Sequence, residues 1–74
     1  MSTLPNVSGR KVVQALLKMD YEKDRQKGSH IVMRQLSSPH RRIVVPDHKE
    51  VAKGTLRAII RHAGLTVEEF KKHL

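Results

Sequence analysis

Six consecutive residues concentrate the chemistry of this chain: Arg25-Gln26-Lys27-Gly28-Ser29-His30. Cations and an amide precede the glycine; a hydroxyl and an imidazole follow it. Glycine has no Cβ, so a foreign backbone such as a nucleic-acid strand can come close there. Histidine is the side chain whose unperturbed charge changes near neutral pH. Such a group can take a proton from a ribose 2′-hydroxyl or return one to a leaving oxygen. The same residues also read as a plain hairpin, with Lys27-Gly28 turning the chain and His30 opening the next strand. A motif this short does not separate the two readings by itself.

The composition narrows the partners. Fifteen Lys and Arg against seven Asp and Glu give a net charge of +8 on 74 residues. That excess points to polyanions: nucleic acid, an anionic membrane or an acidic protein. Tyr21 and Phe70 are the only aromatic residues, too few for a single-strand binder that stacks bases on aromatic platforms. Contact with phosphate and sugar fits better. The cations are spread along the chain, whereas a membrane-surface helix would gather them on one amphipathic face. There is no cysteine, hence no disulfide framework and no thiolate metal site. The N-terminus lacks the apolar run of a signal peptide and no stretch could span a bilayer. The expectation is one small cytoplasmic domain over residues 1–74.

These side chains must be held by a scaffold, and the pattern gives one. Residues 1–7 read as an extended polar lead-in. Ser8 is a candidate N-cap. Val12, Val13, Leu16 and Leu17 then share one helical side, so a helix is expected from about Ser8 to Met19. Asp20 ends it, because Asp tolerates a left-handed backbone. Tyr21 to Gln26 has no apolar period; with a turn signal and a clear strand after it, it reads as a short solvent-facing strand. Ser29 to Leu36 is that clear strand. Ile31 and Met33 share one face, and His30, Val32 and Arg34 the other, so His30 should face outward beside Arg34 if Ile31 and Met33 face the helices. Ser37 to His40 is a turn cluster, and Arg42 to Val45 a third strand ended by Pro46. A polar loop follows, and a second helix starts near Gly54-Thr55. Leu56, Ile59, Ile60 and Ala63 form its core face, and Gly64 stands where a helix stops. Thr66 and Glu69 form a capping box for a last short helix holding Val67, Phe70 and Leu74. The order α-β-β-β-α predicts an α+β sandwich of two layers, the topology of double-stranded-RNA-binding domains, with a short C-terminal helix.

Other constellations are weaker. His30, His40, His48, His62 and His73 lack the spacing of a metal site, and no cofactor is expected. Asp47 beside His48 could form an acid–base pair, although neighbours on an extended chain often point apart. Lys53, Arg57 and Arg61 recur every four residues and form a basic stripe. It reads as a solvated face or as a phosphate-binding one; the high net charge and its start at a helix N-terminus favour phosphate.

The chain resembles the HicA family, the small toxins of HicA–HicB toxin–antitoxin pairs, also called the YcfA-like family. The resemblance begins at Leu4-Pro5 and Ser8-Gly9 and continues through Arg25 to His30, the family's central motif. It resumes at Val45-Pro46 with His48, then Lys53-Gly54-Thr55-Leu56-Arg57 with Ile59-Ile60, then Ala63-Gly64 and Glu69-Phe70. It implies an mRNA-cleaving toxin, an mRNA interferase of stress response with a double-stranded-RNA-binding-like fold. The family's catalytic histidine corresponds to His30 and its glycine to Gly28. Asp20 stands where the family usually has glycine, and Ile31 where many members have a second histidine, so a helper for the second proton transfer is missing there. The implied partners are RNA and a HicB-like antitoxin in a heteromeric complex, with the free toxin a monomer.

The residues then suggest a metal-independent endoribonuclease. His30 is its base or acid. Gly28, Ser29, Lys27, Arg34 and His48 support the active site, and Arg25, Lys53, Arg57 and Arg61 contact RNA. A non-catalytic RNA-binding module of the same fold explains the charge and the stripe without using His30. A basic adaptor for an acidic partner is the third possibility.

Overall fold

Ser8 caps the first helix, its side-chain oxygen accepting the Lys11 amide at 3.2 Å. The computed structural model describes residues 3–74. Its elements run α1 (Gly9–Leu17), β1 (Tyr21–Lys27), β2 (His30–Gln35), β3 (Arg42–Pro46), α2 (Lys53–His62) and α3 (Val67–Lys71). The three strands make one antiparallel sheet in the order β1-β2-β3. This is the expected α-β-β-β-α order, an α+β fold like that of double-stranded-RNA-binding domains. α1 packs on β1 and β3, and α2 on β3 and α3.

The stops and caps behave as their chemistry demands. Asp20 takes φ +71° after α1 and Gly64 takes φ +74° after α2. In the capping box the Glu69 amide donates to Thr66 Oγ1 at 3.1 Å, and the Thr66 amide donates to Glu69 Oε1 at 3.0 Å. Those bonds hold the Glu69 carboxyl below its ordinary pKa.

Alternation sorts the sheet. Ile31, Met33, Ile43 and Val45 are buried against Val12, Ala15 and Leu16 of α1 and Leu56, Ile59 and Ile60 of α2 in one core that also holds Phe70. Burial of this apolar surface is the main stabilising term. A close approach joins the layers: a Cβ on Gly9 would lie 2.0 Å from the Pro46 carbonyl oxygen, so α1 can meet the end of β3 there only without a side chain. The Gly9 amide donates to the His48 carbonyl at 2.9 Å.

Several expectations need correction. Leu17 is 51% exposed and Val13 only partly buried, because Val12, Ala15 and Leu16 already fill the inward arc of α1. α3 ends at Lys71, so Leu74, expected in that helix, lies beyond it and is 41% exposed. α2 begins at Lys53 with Ala52 as a cap that offers no side-chain bond. The lead-in and the β3–α2 loop are not wholly polar in role: Leu4 and Val51 are core residues. The Val51 amide donates to the Val7 carbonyl at 2.8 Å, which ties the two segments together. Tyr21, at the start of the otherwise solvated β1, is buried; its hydroxyl donates to the Ala63 carbonyl at 3.5 Å, and burial pushes its pKa up.

Candidate active site on the exposed sheet face

The turn between β1 and β2 is two residues long. Lys27 pairs with His30, leaving Gly28 and Ser29 between them. Gly28 has φ +59° and Ser29 is not in the left-handed region, the pattern of a II′ hairpin turn, which needs glycine first. A Cβ on Gly28 would meet nothing within 4 Å. Backbone conformation therefore demands this glycine, and the space over it is open. The plain hairpin reading of the motif is correct as geometry, and the same hairpin presents the candidate chemistry.

His30 follows directly, exposed and on the face opposite Ile31. Register puts Lys27 and Pro46 beside it, then Arg25, Val32 and Val44 in the next row, then Glu22, Arg34 and Arg42. No hydrogen bond or ion pair engages the His30 ring among the described residues, nor the side chains of Arg25 and Lys27. The three together form an unpaired cationic corner around one imidazole.

The far end of the face differs. Arg34 donates to Glu22 and Arg42 to Asp24 in two ion pairs. A bulge between Lys23 and Arg25 frees Asp24 from the regular register. The Glu22 hydrogen bond and charge raise the Arg34 pKa above its ordinary value, while Arg34 Nε is buried without a partner. Arg34 thus shares the face of His30, as expected, but its charge is already matched.

His48 lies in the loop after β3. With Ser8, Arg10, Asp47 and Lys49 it lines a cleft of ≈ 310 Å³, which His30 does not line. The structure brings Gly28, Ser29, Lys27, Arg25 and His30 together at the hairpin; it sets His48 beside the N-terminus of α1. On α2, Lys53, Arg57 and Arg61 are all exposed, and the Lys53 ammonium donates to the Leu4 carbonyl. No group of three His, Cys, Asp or Glu side chains among the described residues could hold a metal ion. No helix among them is long and apolar enough to cross a membrane. The sequence offered Gln26 no partner and offered Asp47 its neighbour His48, whereas the Asp47 carboxylate engages Gln26 and Arg10. The Gln26–Asp47 contact crosses from β1 to the loop after β3, 21 residues on, and only strand order brings the two together.

The family model of the HicA toxin of bacterial toxin–antitoxin matches residues 9–65. The chain belongs to the HicA toxin family. The match takes in α1, all three strands, the hairpin with His30, and α2. None of the curated proteins matches the chain. Membership makes this a toxin of a toxin–antitoxin system, and such a system supplies an antitoxin as partner.

Proposed function

We propose that this HicA family member is a metal-independent endoribonuclease, an mRNA interferase. The observation that carries the reading is His30 itself: a solvent-facing imidazole at the mouth of an open glycine turn, flanked by the unpaired cations Lys27 and Arg25. Neutral His30 takes the proton of a ribose 2′-hydroxyl. The freed oxygen attacks the adjacent phosphorus, and the P–O5′ bond breaks. The products are a 2′,3′-cyclic phosphate and a 5′-hydroxyl, the leaving oxygen receiving its proton from water, since His48 sits beside α1 in a cleft that His30 does not line. Lys27 and Arg25 stabilise the charge on the phosphoryl oxygens; Arg34, held by Glu22, contributes less. Arg57 and Arg61 extend the phosphate-binding surface along α2, with Lys53 at its start.

The antitoxin of this reading is a HicB-like, carboxylate-rich protein that covers His30, Lys27 and Arg34. Opposite charges steer such a partner onto the basic corner. Because Arg57 and Arg61 are exposed whatever His30 does, a non-catalytic RNA-binding module is the second reading. Incubation with RNA in a metal chelator separates the two. Cleavage that leaves cyclic or 2′/3′-phosphate ends supports the ribonuclease. Retention of intact RNA supports the binding module, and 3′-hydroxyl ends contradict the proposed chemistry.

A further inference from the structure

The inner side of the hairpin carries a hydrogen-bonded chain that the proposed reaction does not use. Gln26 is at its centre. Its Nε2 donates to the Gly28 carbonyl at 3.2 Å and to Asp47 Oδ2 at 3.3 Å. Its Oε1 accepts from Lys23 Nζ at 3.1 Å. Asp47 Oδ1 in turn lies 3.5 Å from Arg10 Nε on α1. The backbone adds a bond in the same place, the Asp47 amide donating to the Ser29 carbonyl at 2.6 Å. Both central residues of the turn are therefore tied to Asp47, Gly28 through the Gln26 amide and Ser29 directly.

The chemistry explains why an amide stands at position 26. A cation on one side asks for an acceptor; a carboxylate and a carbonyl on the other ask for a donor. An uncharged carboxamide supplies both at once. Glutamate would set a carboxylate against Asp47, and lysine would lose the acceptor for Lys23. Asp47 is anchored in turn by Arg10 and by its place one residue before His48, whose carbonyl holds the Gly9 amide. The chain runs from α1 across the loop after β3 into the turn that precedes His30. A two-residue hairpin at a sheet end is otherwise free to twist, and a displacement of about 1 Å at a reacting group can cost on the order of 10²-fold in rate.

We infer that Gln26 and Asp47 are positioning residues that clamp the Gly28–Ser29 turn to the α1 side of the fold and so fix His30 and Lys27. The catalytic consequence rests on the ribonuclease reading; the clamp itself does not. The test uses the full chain and two readouts. Amide exchange reports the clamp: in Gln26→Ala the Asp47 amide should exchange roughly five- to tenfold faster, the scale of one lost exposed hydrogen bond. Gln14→Ala, a change in the same cleft but outside the chain of bonds, should leave that rate unchanged. RNA cleavage reports positioning: Gln26→Ala should lower kcat roughly ten- to a hundredfold with KM within about twofold. Gln26→Glu should be no better. Asp47→Ala should match Gln26→Ala, whereas Asp47→Asn keeps an oxygen for the Gln26 amide and should restore most of kcat. Wild-type kcat in Gln26→Ala overturns the positioning role, whatever the exchange shows. Should the wild-type chain cleave no RNA, the ribonuclease reading fails, and the exchange arm alone decides the clamp: unchanged exchange at Asp47 in Gln26→Ala overturns it.

Discussion

The two faces of the sheet are built from the same three strands and do opposite things. Ile31, Met33, Ile43 and Val45 point inward and are nearly or wholly buried. One residue along each strand, His30, Val32, Arg42 and Val44 point outward, and Val44 is 51% exposed. A one-residue slip in register would exchange the two sets, so the packing of the inner face is what keeps His30 in solvent. The outer face is itself divided. At one end Glu22 and Asp24 neutralise Arg34 and Arg42; at the hairpin end Arg25 and Lys27 stand unpaired beside His30. Cationic character is therefore concentrated where the imidazole is, and the same strands carry matched charge a few residues away.

The largest expected effect comes from the inner face. Met33 is completely buried, and Met33→Ala should cost about 2–5 kcal/mol, a large share of a small domain's stability. Val44→Ala, on the other side of the sheet, should stay within about 0.5 kcal/mol. Denaturant unfolding of both variants checks the contrast, and equal losses would mean that the outer face is packed in solution.

Next comes the division of the outer face. Lys27→Ala should slow RNA cleavage about tenfold, the scale of one charge-assisted bond to a phosphoryl oxygen. Arg34→Ala should slow it less, because Glu22 already holds that guanidinium. A larger loss from Arg34→Ala than from Lys27→Ala in cleavage kinetics would reverse the assignment.

How much of this division could be read beforehand follows from where period and pairing carry information. Ser8, Asp20, Gly64 and the Thr66–Glu69 box act through local chemistry, and each does what its residue type implies. The inward and outward sets of β2 follow from strict alternation. Leu4 and Val51 were not legible, because a lone apolar residue in an irregular segment has no period; they are core because the lead-in and the β3–α2 loop bond to each other. Leu17 misled because a helical side wider than the sheet can cover includes positions left in water. The pairs Glu22–Arg34 and Asp24–Arg42, and the Gln26–Asp47 contact, depend on strand register, on a bulge at Asp24 and on strand order, none of which is written in local sequence.

A smaller effect belongs to α2. RNA affinity should fall by roughly 0.7 to 0.9 log units per phosphate contact for each tenfold rise in salt. Replacing Lys53, Arg57 and Arg61 with Ala should flatten that slope. An unchanged slope would confine the phosphate contacts to the hairpin corner.

The smallest effect concerns pH. Glu69 has a carboxyl pKa lowered from 4.5 by its bonds to Thr66. A depressed folded-state value means that the contribution is present above the unfolded pKa and is lost as pH falls through the folded one. α3 should therefore loosen only as pH falls below 4.5, and Glu69→Gln should remove that acid sensitivity. Exchange at the Phe70 amide, which bonds to the Thr66 carbonyl at 3.1 Å, measures it.

The ribonuclease reading stands or falls on His30. The direct measurement is RNA cleavage in a metal chelator by wild type and His30→Ala, with circular dichroism of each. His30 is exposed, so its removal should leave the fold intact. The expected result is a folded variant whose cleavage drops by on the order of 10²–10⁴-fold, the range of a general acid–base group. A folded His30→Ala protein that cuts RNA at the wild-type rate would contradict it.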